Sequence, residues 1–265
     1  MATGCAAGHT LLVATGTMLQ SRRSCLFVMD ITDPYQPALL WERLLPGGGS
    51  GHTRGIAVDR CVATRESAGC LYLTADFAGG DDAPGIHALA LKLVTGELLW
   101  QFTAPNAASG MVAGVAVHGR VAIFGTGGVS GSDDSRQYAV YAVEIGPGES
   151  RLRWVYALAV GEKVWAPPLV DASDRLVLGM GVDYTSLAGT TEQATSGRVV
   201  ALDGEGTEEL SRETAAAVVG GLVSAPGVAV AVNLTGEVTL FGSDRRLTGP
   251  AGPTGSVRLL AWRER

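Results

Sequence analysis

The chain has 265 residues, enough for one large core or two modest domains, with a formal charge of −6 from 20 basic and 26 acidic residues. Hydrophobic residues make up 46% and charged residues 17%, which excludes an intrinsically disordered chain, and the acidic balance excludes a nucleic-acid partner. Thirty-seven glycines with no Gly-X-Y period exclude collagen and predict many tight turns between short apolar runs.

In chain order, the start MATGCAAGHTLLVATG has no basic stretch ahead of its apolar residues and does not read as a signal peptide. The chain is therefore cytoplasmic if complete as given, and periplasmic or cell-surface if it is a fragment of a longer exported protein. Then comes the first copy of a repeat. LFVMDITDPYQPALLWE covers 26–42, IHALALKLVTGELLWQF covers 86–102 and YAVYAVEIGPGESRLRWVY covers 138–156. A weaker copy, GRVVALDGEGTEELSRE, covers 197–213, and a decayed fifth runs from EVTLFG to VRLLAWRER. Each copy is an apolar or alternating run, a polar turn and a second short strand. That second strand carries Trp41, Trp100 or Trp154 in the first three copies, at separations of 59 and 54 residues.

Two further strands precede each copy, except that the first has only HTLLVATGT before it. The count is about nineteen strands in units of four, with the first unit short by one. Helical periodicity is nearly absent; the helix formers of ETAAAVV are stopped by the glycines after them. The uncharged segment Thr214 to Gly236 is long enough to span a membrane, but its glycines and Pro226 predict two strands joined by a Pro-Gly turn, and no integral membrane segment.

Four-stranded antiparallel units at roughly 40–60 residue spacing predict an all-β fold, a β-propeller of about five blades or a partial ring. It is read as a single domain over 1–265, with blades at 8–45, 52–103, 110–158, 163–213 and 217–265. The tryptophans are structural and cover the face between neighbouring blades. The ring closes if strand 257–265 joins the first blade; an open arc is preferred, because it explains both the missing first strand and the missing export signal.

Asp33-Pro34 and Gln36-Pro37 set a rigid extended turn, in which Asp30 or Asp33 accepts hydrogen bonds from turn amides. Val94 to Glu97 is a shorter hairpin turn in which Gly96 supplies positive φ. Cys61 and Cys70 flank a loop between two strands, where a disulfide forms in an oxidising compartment; the other reading leaves Cys5, Cys25, Cys61 and Cys70 as buried free thiols.

Against this background TLLVATGTMLQSRRSCLFVMDITDPYQPALLWE resembles part of the PilY/PilC-type propeller of type IV pilus biogenesis, on Asp30, Thr32, Asp33, Pro34, Pro37, Leu40, Trp41 and Glu42. The later units resemble the wider quinoprotein-like repeat through Thr95, Gly96 and Trp100, and through VVALDGEG around Asp203. About twenty residues carry the pilus resemblance. It implies an adhesion or assembly role with a pilin partner. Proteins of that kind are similar to calcium-dependent adhesins, yet the alternating acidic loop is lacking. The adjacent pairs Asp81-Asp82 and Asp133-Asp134 are the calcium candidates, and read more simply as solvated loop acids. The quinoprotein resemblance implies a dehydrogenase carrying pyrroloquinoline quinone (PQQ) as the enzyme alternative, although the chain is about half the size of such a ring and shows no paired acid beside a metal.

No other chemistry is legible. His9, His52, His87 and His118 have no zinc spacing with the cysteines, Ser50 and Ser130 sit in loops, and GGGSGHT lacks a phosphate-loop lysine. The reading is a non-catalytic interaction module, with no catalytic or cofactor-binding residue assigned. Its partner is a pilin or, in the generic version, a component of envelope protein assembly. Candidate contact residues are Tyr35, Asp81, Asp82, Asp133, Asp134 and Tyr184, on the long loops.

Overall fold

A computed structural model describes residues 2–6, 9–17, 24–45, 56–60, 69–77, 85–104, 114–125, 139–146, 150–159, 162–171, 174–182, 196–225, 228–233, 238–243 and 257–262. These form an all-β structure of 21 strands in five small sheets. The chain divides into two compact units, Met1–Ala157 and Leu158–Arg265.

The first unit holds three four-stranded sheets, each in simple antiparallel order. The first is β1 (Ala2–Ala6), β2 (His9–Thr17), β3 (Ser24–Asp30) and β4 (Ala38–Leu44). The second is β5 (Ile56–Arg60), β6 (Gly69–Phe77), β7 (Gly85–Lys92) and β8 (Leu98–Thr103). The third is β9 (Val115–His118), β10 (Val121–Gly125), β11 (Ala139–Ile145) and β12 (Ser150–Ala157). The expectation of a three-stranded first unit is corrected by β1. Its alanine, threonine and glycine carry no apolar alternation, so only pairing with β2 reveals it as a strand.

Strand alternation explains how the middle sheet is covered on both sides. Leu71, Leu73, Ala75, Leu89 and Leu91 share a buried cluster with Leu11, Val13, Leu26 and Val28 of the first sheet. The residues between them, Cys70, Tyr72, Ala88 and Ala90, pack instead with Val115, Ala122, Phe124, Tyr141 and Val143 of the third. Each large aliphatic side chain so buried contributes about 1.5–3 kcal/mol. Phe124 stacks on Tyr141 with ring centroids 5.7 Å apart and meets Phe102 edge-on at 6.2 Å. Burial raises the pKa of the Tyr141 phenol. The opening strands of successive sheets lie side by side, β1 by β5 and β5 by β9.

The copies keep a common register. Val28 pairs with Trp41, Ala90 with Trp100 and Ala142 with Trp154, and in each copy a bulge comes at the next residue. In the weak fourth copy Ala201 pairs with Leu210, again beside a bulge, so Leu210 holds the tryptophan position. At the joint between the first two sheets, the Trp41 indole Nε1 donates to the Leu93 carbonyl at 2.9 Å, and Arg43 Nη1 donates to the Gly96 carbonyl at 2.8 Å. Gly96 has φ +70°, and a Cβ there would lie 2.9 Å from the Trp41 ring. The turn thus needs glycine both for its backbone and for the indole lying on it.

The second unit holds two sheets. One is β13 (Glu162–Val164), β14 (Leu169–Val170), β15 (Leu176–Val182), β16 (Gly197–Leu202) and β17 (Glu208–Thr214), with both β13 and β14 paired to β15. The single strand expected in VWAPPLVDASD is therefore split, because Pro167 and Pro168 offer no amide to the ladder. The other is β18 (Val218–Ala225), β19 (Val228–Asn233), β20 (Val238–Ser243) and β21 (Val257–Trp262). The uncharged segment forms the antiparallel pair β18 and β19, and among the described residues no helix is long and apolar enough to cross a membrane. The last strand departs from the expected antiparallel unit: β21 pairs parallel with β20. Residues 244–256 separate the two, a connection long enough for a parallel return. Val177 and Val199 pack with Val218 and Ala231 to join the two sheets.

Cys25 is a buried free thiol, its pKa raised by burial and by the nearby Glu42 carboxylate. Cys70 is disulfide-bonded, which overturns the all-free reading; its expected partner Cys61 lies outside the described residues.

Candidate functional site

Among the described residues, the β3–β4 connection is the loop that carries a predicted contact residue, Tyr35. Asp30 closes β3 and organises the turn beyond it. Its Oδ1 accepts the Thr32 amide at 2.9 Å and the Thr32 hydroxyl at 2.6 Å, while Oδ2 meets His9 Nδ1 at 2.6 Å. The Thr32 hydroxyl oxygen in turn accepts the Thr10 amide at 2.9 Å. The bonds from Thr32, with a smaller contribution from His9, hold the Asp30 carboxyl below its ordinary pKa. One turn further, Asp33 Oδ1 accepts the Tyr35 amide at 2.9 Å and the Asp33 carbonyl accepts the Gln36 amide at 3.1 Å. Pro34 and Pro37 fix the backbone on either side. Both aspartates thus accept turn amides, as expected of one or the other.

This frame displays Tyr35, whose side chain is 93% exposed, ahead of the exposed Leu39 and Leu40. Leu40 is the residue the bulge leaves unpaired, between Leu39 opposite Met29 and Trp41 opposite Val28. A tyrosine held in a pre-ordered loop costs little conformational entropy on contact, and its ring and hydroxyl serve apolar and polar partners alike. All the exposed large hydrophobics among the described residues lie on β4, β8 or β12 or on the turns leading into them: Leu44, Val94, Leu98, Leu152 and Val155 complete the set.

In the second unit Asp203 repeats the device, its Oδ1 accepting the amides of Glu205 at 2.9 Å and Thr207 at 2.8 Å. That turn carries no aromatic residue. A polar cluster there escaped sequence reading. Glu162, only 4% exposed, receives Nε and Nη2 of Arg198, and Arg198 Nη1 reaches Glu208 Oε2 at 3.4 Å. Beside it the Lys163 ammonium lies 5.7 Å from the Trp165 ring centroid. The guanidinium ties three strands of one sheet together, a structural clamp rather than an open site.

Among the predicted residues, Trp41, Trp100 and Trp154 share one register position, and Asp30, Asp33 and Pro34 share one loop with Tyr35. Asp81, Asp82, Asp133, Asp134 and Tyr184 lie outside the described residues. Among the described residues no group of three or more His, Cys, Asp or Glu could hold a metal ion. The bonds that His9, Arg43 and Arg120 make to Asp30, the Gly96 carbonyl and the Ile145 carbonyl had no signal in the sequence: two residues beyond the tryptophan, where Arg43 stands, the other copies have Phe102 and Tyr156.

No protein-family model matches the chain, and no curated protein matches it. Among solved structures it is similar to BamB from Moraxella catarrhalis, at 13% identity and a TM-score of 0.39, over 97% of this chain and 79% of that one.

Proposed function

We propose that the protein is a non-catalytic interaction scaffold of the β-propeller kind, a single domain over 1–265 in which the five sheets are blades. The observation that carries the binding role is Tyr35, fully displayed on a loop fixed by Asp30, Asp33 and two prolines, beside the exposed Leu39 and Leu40 of an edge strand. The fold side rests on the covering of neighbouring sheets within each unit and on the common register of Trp41, Trp100 and Trp154. The partner is a component of protein assembly in the cell envelope. The pilus-associated version, with a pilin as partner, is favoured by the DITDPYQPALLWE residues that build this loop.

The test places a photo-crosslinking amino acid at Tyr35 and, separately, at Glu209 of β17, in the source cells. A discrete adduct from position 35 and none from 209 is expected, and identification of the adduct separates a pilin from an assembly component. Equal labelling from both positions, or none from 35, removes the binding surface. Reduction of a redox dye with alcohols or sugars, after loading with PQQ and calcium, would overturn the non-catalytic reading. For the single domain, scattering should give a radius of gyration of about 18 Å for a monomer.

A further inference from the structure

We infer that the joint between the second and third sheets of the first unit is latched by Arg120 in place of the Trp100 indole, two donors competing for one carbonyl. The equivalence of positions rests on three backbone bonds that recur in the copies. Ile31 donates to Thr10 at 2.8 Å, Leu93 to Gly69 at 3.0 Å and Ile145 to Arg120 at 2.7 Å. Leu93 and Ile145 therefore occupy one repeat position, each three residues beyond the alanine that pairs with its own sheet's tryptophan, Ala90 with Trp100 and Ala142 with Trp154.

At the first joint the carbonyl of that position accepts the indole: Trp41 Nε1 bonds the Leu93 oxygen. At the second joint the Ile145 oxygen is taken by the Arg120 guanidinium, through Nε at 3.3 Å and Nη2 at 3.1 Å. A carbonyl oxygen has two lone pairs, and these two donors fill both. Trp100, 5% exposed and in the same buried cluster as Ile145, has its Nε1 buried without a hydrogen-bond partner among the described residues. An orphaned buried donor needs a cause, and here the acceptor its counterpart uses is occupied. Arg120 sits at an exposed turn beside Gly119, so its guanidinium can leave the carbonyl for water at small cost, whereas the indole has no such alternative.

The experiment tracks the indole N–H resonances of the intact chain by two-dimensional NMR, the Trp100 signal being assigned by its loss in Trp100→Phe. In the parent, the Trp100 N–H is expected upfield, where unbonded indoles resonate, and the Trp41 N–H downfield. Arg120→Met should move the Trp100 signal downfield and slow its hydrogen exchange about fivefold, the worth of one net hydrogen bond, leaving Trp41 unmoved. Arg120→Lys, which offers one donor direction rather than a fork, should give the same shift in smaller measure and serves if Arg120→Met does not fold. A Trp100 signal already downfield in the parent, or unmoved in the folded variants, overturns the inference.

Discussion

The two units join their sheets by different means. In the first, large side chains cross the gap: Trp41 lies over the turn at Gly96, and leucines from both sheets fill the space between. In the second, glycines alternate with Val177 and Val199 on the joining face and let the next segment come close to the backbone. A Cβ on Gly179 would come within 2.5 Å of Val218, one on Gly181 within 2.2 Å of the Ala217 Cβ, and one on Gly197 within 2.4 Å of the Ala216 carbonyl. The first joint gains stability from the area it buries, the second from close approach, and the two respond differently to the same kind of change.

The largest effect is expected from Trp41→Ala, which removes the ring and orphans the Leu93 carbonyl at once, at a cost of about 3–5 kcal/mol. Chemical denaturation measures it. A cost below about 1 kcal/mol would mean that the leucines alone hold the first joint.

Next comes Gly181→Ala, where one added methyl should cost about 1–3 kcal/mol, since the atoms it meets include the Ala217 backbone. Ala217→Gly in the same chain should recover part of that loss, because the nearest clash is between the two Cβ atoms. If the pair of changes is simply additive in denaturation, the second joint is not set by close approach.

A finer cut compares Trp41→Phe with Trp100→Phe. Both lose the same ring atoms, Trp100 from the more buried site, but Trp41 gives up an indole hydrogen bond whereas Trp100 gives up an orphaned donor, so Trp41→Phe should be the more costly by about 1 kcal/mol. Equal costs would show that the Trp41 bond adds nothing to its packing.

What the sequence made legible was whatever leaves a period-two trace with large residues. The repeat, the tryptophan positions and the turns at Asp30 and Gly96 all come from alternation interrupted by glycine, proline and aspartate. The strand β1 was hidden because small residues leave no such trace, and the split into β13 and β14 because an apolar run reads as one strand until its prolines are given weight. The parallel return of β21 depends on the path of a connection rather than on the strand itself. At the candidate surface, Tyr35 was legible as a loop residue. The partners of its frame were not, since His9 and Thr10 lie about twenty residues away and only the β2–β3 pairing brings them together.

The smallest effect concerns that frame. Asp30 has its pKa lowered chiefly by Thr32, through hydroxyl and amide, and only then by His9. A carboxyl whose pKa is lower folded than unfolded stabilises the fold above its unfolded value, ordinarily 3.8, and loses that contribution as pH falls through the folded value. The loop should therefore loosen in acid below that window, and Asp30→Asn should remove the pH dependence without removing the fold. The order of causes sharpens this into a comparison of variants. Thr32→Val deletes the strongest bond and should raise the Asp30 pKa more than His9→Ala does, as read by NMR titration of the Asp30 carboxyl carbon. The reverse order would mean that the imidazole, not the threonine, sets the charge of the loop that presents Tyr35.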